Sequence, residues 1–326
     1  MKTLMIYGAT GYTGRMAATH AKQLGLNLVI AGRNAGHLVS LAAELGASYR
    51  VFTADASQLE GIDVLLNFAG PFAQTAGALM RACIANGTDY LDITAEIKVY
   101  RLAEQLGADT DVMLLPGVGW DVVPTDCLAM HVASRVQQPQ SLKIALQVPG
   151  SMSRGSAMSV GEIIGAGVMT RIDGQLVATP DAQPQHLDFG DGPALCAPLS
   201  FGDLVTAWHS SAIPNIAMFV HITGEAFPEG DLSLLPDGPT QAQRDAHRAR
   251  AVAEVTGADG TVARSVIETV NGYSYTPLAA VEAARRVLGG ERQAGFQTPA
   301  KLFGVGFAQT IAGTQITDYS PQEQRA

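Results

Sequence analysis

The sequence predicts an α/β protein, a doubly wound parallel Rossmann sheet with an inserted α+β second domain. Three observations carry that prediction. A glycine-rich turn follows the first apolar strand, strands and helices alternate as far as about residue 115, and the texture changes beyond residue 137. The expected divisions are 1–137 for the Rossmann domain, 138–276 for the α+β domain, and 277–326 for C-terminal helices packing back on the first domain.

The first element is the apolar run Leu4-Met5-Ile6-Tyr7, followed by Gly8-Ala9-Thr10-Gly11-Tyr12-Thr13-Gly14 and a helical stretch over 14–24. In this order Gly8 makes a tight turn, Gly11 lets the backbone approach a pyrophosphate, and Gly14 lets the helix pack close to the sheet. Backbone N–H groups at the helix start, around Thr10, Tyr12 and Thr13, then face phosphate charge. The second strand, 27–31, ends in Gly32-Arg33-Asn34, with no acid where an NAD site would grip the adenosine ribose. A carboxylate there would repel a 2′-phosphate, whereas Arg33 offers a planar fork of donors that suits one, with Asn34 beside it. Arg15, in the first turn of the first helix, is placed to close on the same phosphate. The expected cofactor is NADP(H).

Helices follow over 35–45, 75–86 and 99–107, and strands over 49–53, 63–68, 89–93 and 111–115. Such alternation implies right-handed crossovers, with ligands beyond the carboxyl ends of the strands. Asp55 and Ala56 follow the third strand, where adenine would lie. Phe68, Ala69, Gly70 and Pro71 follow the fourth, where small residues admit the nicotinamide ribose. Tyr90, Asp92 and Glu96 gather after the fifth.

Beyond a helix over 124–136 the pattern predicts a strand at 141–148, a helix at 159–169 and strand-like runs within 206–223. Between them, the stretch 179–198 is rich in Pro, Asp and Gly and reads as a mobile loop closing over an interdomain active site. Helical pattern returns over 277–288 and around 300–312.

Charge narrows the partners. The net charge of −9 comes mainly from residues 137–243, which hold three basic residues (Lys143, Arg154, Arg171) against ten acids. Nucleic acid is an unsuitable partner for such a surface. A substrate with several carboxylates would need several arginines there, so a neutral or apolar small molecule fits better. The three cysteines are scattered without zinc or disulfide spacing, the seven histidines are dispersed, and no metal site is expected. No run is long and apolar enough to span a bilayer, and a cytoplasmic setting, with a homodimer as the usual oligomer, is expected.

The chain resembles the saccharopine dehydrogenase-like oxidoreductases, most of all their trans-acting enoyl reductase branch. The resemblance rests on Gly8–Gly14, Ala31-Gly32-Arg33-Asn34, Ala69-Gly70-Pro71-Phe72 and Gly87-Thr88-Asp89-Tyr90-Leu91-Asp92. Further on it rests on Pro116-Gly117-Val118-Gly119-Trp120-Asp121, Ser153-Arg154-Gly155-Ser156 and Thr206-Ala207-Trp208-His209-Ser210-Ser211. It implies a Rossmann domain beside an α+β domain and NADP(H)-linked reduction, with a carrier-bound acyl group among the substrates to consider. The chain differs at Ala95, where the family usually has glycine.

Reduction needs donors for the negative charge that develops on a conjugated oxygen. Asp121, His209 and Tyr90 are the catalytic candidates, and Trp120, Arg154 and Glu96 the substrate candidates. Other roles stay open. Asp121 and Asp126 also suit capping of the following helix, Tyr90 and Asp92 a strand end, His209 a structural contact, and Arg154 a helix cap. Reduction of an activated C=C bond is the expected chemistry. C=N reduction of the opine or saccharopine kind is the alternative among enzymes, and an NADP-sensing binding protein the alternative outside them.

Overall fold

The computed structural model describes residues 2–53, 56–149, 152–223, 231 and 235–322. The first half alternates as expected: β1 (Thr3–Tyr7), α1 (Tyr12–Gln23), β2 (Asn27–Gly32), α2 (Ala35–Leu45), β3 (Ser48–Val51), β4 (Val64–Asn67), α3 (Phe72–Asn86), β5 (Asp89–Asp92), α4 (Ile97–Gly107), β6 (Met113–Leu115) and α5 (Val123–Ala133). All strand pairs in this sheet are parallel, and β4 and β5 are buried along their whole length. Burial on both faces suits the apolar run Val64-Leu65-Leu66 of β4, whereas β5 carries buried Asp89 and Asp92 at its two ends.

The second half contributes β7 (Pro139–Pro149), α6 (Arg154–Gly165), β8 (Met169–Ile172), β9 (Gln175–Ala178), β10 (Gln185–Asp188), β11 (Pro193–Pro198), α7 (Asp203–Ser211), β12 (Asn215–Thr223), α8 (Gln241–Asp245), β13 (Ala249–Gly257) and β14 (Val262–Thr269). The chain then forms α9 (Gly272–Leu288), β15 (Gly295–Phe296), α10 (Pro299–Phe303) and β16 (Gln315–Gln322). The first sheet runs β15-β6-β5-β4-β1-β2-β3. The second is mixed and runs β10-β11-β12-β7-β13-β14-β16, with β8 and β9 branching from β12. Only its β7–β12 pair is parallel among the described pairs.

Helix α9 returns the chain to the first sheet, packing on α1, β1 and β4. Ala17, Ala18 and Ala21 of α1 and Ala279, Ala280, Ala283 and Ala284 of α9 are all buried in one core. Short side chains let the two helices approach closely, and they cost no rotamer entropy on burial.

Three sequence expectations need correction. The stretch 179–198 is no mobile loop: it holds the β10–β11 hairpin at the edge of the second sheet, with Leu187 and Phe189 buried on the sheet face. Its Pro, Gly and Asp residues are hairpin punctuation, because Asp188 Oδ1 accepts from the N–H groups of Gly190 and Gly192 at 2.8 and 3.0 Å. The run beginning at residue 206 lies in helix α7 rather than a strand, and the strand starts only at Asn215. The C-terminal segment is not all helical. It gives β15 to the first sheet and β16 to the second, so the chain crosses between the domains once more.

Candidate active site

The glycine turn has the shape its sequence demands. Gly8 has φ +80°, and a Cβ added to Gly14 would lie 2.2 Å from the Gly8 carbonyl oxygen, so no other residue fits that helix position. A Cβ on Gly8 would also lie 2.8 Å from the Ala69 nitrogen, which brings the turn against the 68–71 loop after β4. Gly11 is the N-cap of α1. No side chain caps this helix, and its first turn holds no acid. Open N–H groups at that end, without a competing carboxylate, fit the pyrophosphate of a dinucleotide.

Arg33 lies exposed after β2 and forms no ion pair with any described residue. Asn34 has a second task, since its Oδ1 caps α2 by accepting from the His37 N–H at 3.1 Å. Arg15 is paired with Glu44 of α2, on the exposed side of the helix. Asp55 lies outside the described residues, and Ala56 opens a short 3-10 turn.

The residues expected after β5 form a buried scaffold. Tyr90 is fully buried: its hydroxyl donates to Asp92 Oδ2 at 2.8 Å and accepts from Asn67 Nδ2 at 3.1 Å. Asp92 Oδ1 accepts from the N–H groups of Thr94 and Gly117, both at 3.0 Å. Burial nevertheless pushes the Asp92 carboxyl up to about 7. Asn67 Oδ1 accepts from Ala69 N–H at 2.9 Å, so this network fixes the loop beneath the expected nicotinamide position. Glu96 is buried after β5. Its carboxylate takes the N–H groups of Phe72 and Ala73 at 2.8 and 2.6 Å and thereby caps α3.

The other candidates are dispersed. Trp120 is buried, its indole N–H donating to Thr269 Oγ1 at 2.9 Å and its backbone N–H to Thr276 Oγ1 at 3.0 Å. Asp121 lies near Tyr100 and Asp203, and burial pushes its carboxyl up to about 6. It does not cap α5, whose N-cap Val122 has no side-chain bond, and Asp126 caps α10 instead by accepting from Ala300 N–H at 2.8 Å. His209 pairs with Glu104 of α4 at 2.5 Å and stacks edge-on against Phe296. No hydrogen bond joins any two of Asp121, His209 and Tyr90 among the described residues. Arg154 pairs with Asp237.

What the structure does bring together is a hydroxyl cluster at the mouth of the glycine turn. Tyr12 meets Tyr273 edge to face, with ring centroids 5.7 Å apart. The Tyr273 hydroxyl accepts from Ser153 N–H at 2.8 Å and donates to Ser156 Oγ at 2.9 Å. Ser153 caps α6 by accepting from Ser156 N–H at 3.1 Å, and its hydroxyl reaches Ser156 Oγ at the same distance. Ser159, one turn further along α6, approaches Gly70: a Cβ there would lie 3.2 Å from its Oγ. Sequence reasoning missed Tyr273 because it began the last long helix at Pro277. Asn271 was the available signal, since its Oδ1 accepts from Tyr273 N–H at 3.0 Å as an N-cap.

Comparison with known proteins agrees with the glycine-turn geometry. Residues 4–112 match the family model described as the saccharopine dehydrogenase NADP binding domain. Curated relatives are named trans-acting enoyl reductase. One from Mycobacterium ulcerans is 29% identical over 158 residues, and one from Mycobacterium bovis is 33% identical over 139 residues. The matches cover 44% and 38% of this chain and only 38% and 33% of those proteins. Among solved structures, saccharopine dehydrogenase (L-Glu forming) from Saccharomyces cerevisiae superposes over 98% of this chain and 100% of its own, with TM-score 0.64 at 13% identity. A myo-inositol dehydrogenase from Corynebacterium glutamicum does so over 99% of this chain and 100% of its own, with TM-score 0.52 at 12% identity. These two likenesses concern the fold alone. No described helix is long and apolar enough to cross a membrane. Residues 4–112 are thus similar to the saccharopine dehydrogenase NADP binding domain, and the cofactor this implies is NADP(H).

Proposed function

We propose that this chain is an NADPH-dependent oxidoreductase that reduces an activated C=C bond, as in an enoyl ester or thioester, of a neutral substrate held between the two domains. The supporting observation is how Arg154 of α6 and Arg171 of β8 are used. Arg244, which has no carboxylate partner among the described residues, is held at the glycine turn by Tyr12 and Pro239. Arg154 is neutralised by Asp237, and Arg171 is buried with its donors on the carbonyls of Leu204 and Gly174 at 2.8 and 2.7 Å. An opine-type C=N reductase must hold carboxylates, which calls for guanidinium groups turned toward the cleft. The hydroxyls of Ser153, Ser156 and Tyr273 gather near the glycine turn instead. The naming of the curated relatives as enoyl reductases supports the same reading.

NADPH bound at the glycine turn would supply a hydride to the β carbon of the substrate, and water the proton that completes the reduction at the α carbon. The chain's own task is to meet the charge that develops on the substrate carbonyl oxygen. Ser156 Oγ accepts from both Tyr273 and Ser153, which leaves its own proton to donate to a third oxygen. Ser156 is therefore assigned as the oxyanion donor, and Tyr273 as the residue that holds it in place from α9, the helix packed on the first sheet. The Tyr90–Asp92–Asn67 network holds the Ala69 N–H, and so would position the 68–71 loop for a nicotinamide bound there. A panel of enones, enoyl thioesters and keto-acid plus amine pairs, followed through NADPH absorbance, tests the reading. Turnover of the amine pairs alone would transfer the chain to the opine class. NADPH binding without turnover of any pair would make it a sensor.

A further inference from the structure

We propose that Arg244 is a cofactor ligand supplied by the second half of the chain, with its guanidinium seated on the pyrophosphate of NADP(H). Neither the family match, which ends at residue 112, nor the sequence pattern assigns it this role.

The segment 235–245 lies directly against the glycine turn. Gly238 touches the Tyr12 ring so closely that a Cβ there would lie 2.5 Å from a ring carbon, and the Pro239 carbonyl accepts from the Tyr12 hydroxyl. The turn of α8 that follows is rigid for its size. Thr240 and Gln243 form a reciprocal capping box, the Thr240 N–H donating to Gln243 Oε1 at 2.8 Å. This presents Arg244, whose Nη1 donates to the Tyr12 hydroxyl at 2.6 Å and to the Pro239 carbonyl at 2.9 Å. Its Nε donates to Ser274 Oγ at 3.1 Å and its Nη2 to Gln241 Oε1 at 2.5 Å.

Every one of these acceptors is neutral. Arg15 and Arg154, the other arginines around the turn, each have a carboxylate partner, in Glu44 and Asp237. Arg244 forms no ion pair with any described residue. A partly buried guanidinium that keeps its full charge is costly unless an anion comes to it. Tyr12 follows Gly11, the uncapped N-cap of α1, so the open N–H groups and the unbalanced cation converge on one place. The anion suited to both is the diphosphate that joins the two halves of the cofactor. The 2′-phosphate is assigned elsewhere, beyond β2 at Arg33. Cofactor binding would then tie the two domains together through the 235–245 strap.

The inference rests on NADP(H) binding and not on the choice of substrate, and affinity alone tests it. Isothermal titration of the full chain with NADPH, NADH, ADP-ribose and 2′-AMP separates the phosphates. Arg244→Gln keeps hydrogen-bond donors for Tyr12 and Pro239 but removes the charge. It should weaken NADPH, NADH and ADP-ribose alike, by roughly tenfold to a hundredfold, and leave 2′-AMP unchanged. Arg244→Lys should recover part of that loss. Tyr12→Phe keeps the guanidinium and should bind ADP-ribose within about threefold of the original protein, which holds the test open if Arg244→Gln fails to fold. Unchanged ADP-ribose affinity in Arg244→Gln overturns the assignment. So does a loss confined to ligands with a 2′-phosphate, or a loss in Tyr12→Phe as large as that in Arg244→Gln.

Discussion

The Tyr273 hydroxyl donates to Ser156 Oγ at 2.9 Å and so joins the first turn of α9 to the first turn of α6. One bond thus links the helix that packs on the first sheet to the helix that follows β7. Removing it should affect the chemistry more than the binding. Tyr273→Phe is expected to lower kcat about tenfold, and Ser156→Ala about a hundredfold, with NADPH affinity unchanged in both. Steady-state kinetics with the best enoyl substrate of the panel, beside NADPH titrations, check this. If KM rises while kcat is kept, the pair serves binding and the oxyanion donor lies elsewhere.

Arg33 is the proposed seat of the 2′-phosphate. Arg33→Ala should lose roughly 1–3 kcal/mol of binding to NADPH and almost nothing to NADH, because only the former carries the phosphate that a guanidinium fork matches. Arg15 is already paired with Glu44, so Arg15→Ala should change NADPH affinity less than Arg33→Ala does. Equal losses for both dinucleotides in Arg33→Ala would remove the 2′-phosphate assignment.

The cofactor half of the molecule was legible because each signal is local. The Gly8–Gly14 spacing answers to contacts within one turn, and the missing acid after β2 to the chemistry of one ribose. The rest of the site depends on pairings that sequence distance conceals. Tyr273 and Ser156 are 117 residues apart, and Arg244 and Tyr12 are 232 apart. Polar residues at strand ends drew attention to Tyr90, Glu96 and Asp121, yet a polar residue there serves buried backbone as readily as it serves a ligand. Glu96 illustrates this, since nothing in the sequence says that its carboxylate turns back to α3. The 179–198 stretch misled for a related reason: hairpin turns and mobile loops draw on the same residues.

Glu96 should accordingly behave as a stability residue. Glu96→Ala strands the N–H groups of Phe72 and Ala73 at the buried start of α3 and should cost about 2–3 kcal/mol, read from urea denaturation. Glu96→Gln keeps one acceptor oxygen and should cost less. Because α3 begins directly after the 68–71 loop, NADPH affinity should fall modestly along with stability. A variant with intact stability and lost turnover would return Glu96 to the substrate.

Asp121 offers a prediction in pH. Burial raises its carboxyl from an ordinary 3.8 to about 6, with no basic partner to oppose the shift. Between those values the folded chain holds a proton that the unfolded chain has released, so stability falls as pH rises through that window. The penalty is absent below about pH 4 and complete above about pH 6. At 1.36 kcal/mol for each unit the full shift corresponds to at most about 3 kcal/mol, and partial exposure of the residue reduces this to about 1–3 kcal/mol. Asp121→Asn should therefore stabilise the protein by that amount at about pH 8 and by almost nothing at about pH 4. Asp92 and Asp126, raised by burial to about 7 and about 6, keep their own slopes of the same sign in the variant. The difference between variant and original thus isolates Asp121. Urea midpoints at the two pH values measure it, and an equal difference at both would show that the carboxyl is not held in its neutral form. Turnover should survive the substitution, since Asp121 lies beside Tyr100 and Asp203 and not in the hydroxyl cluster. A hundredfold loss of kcat with NADPH affinity intact would instead give Asp121 a part in the chemistry.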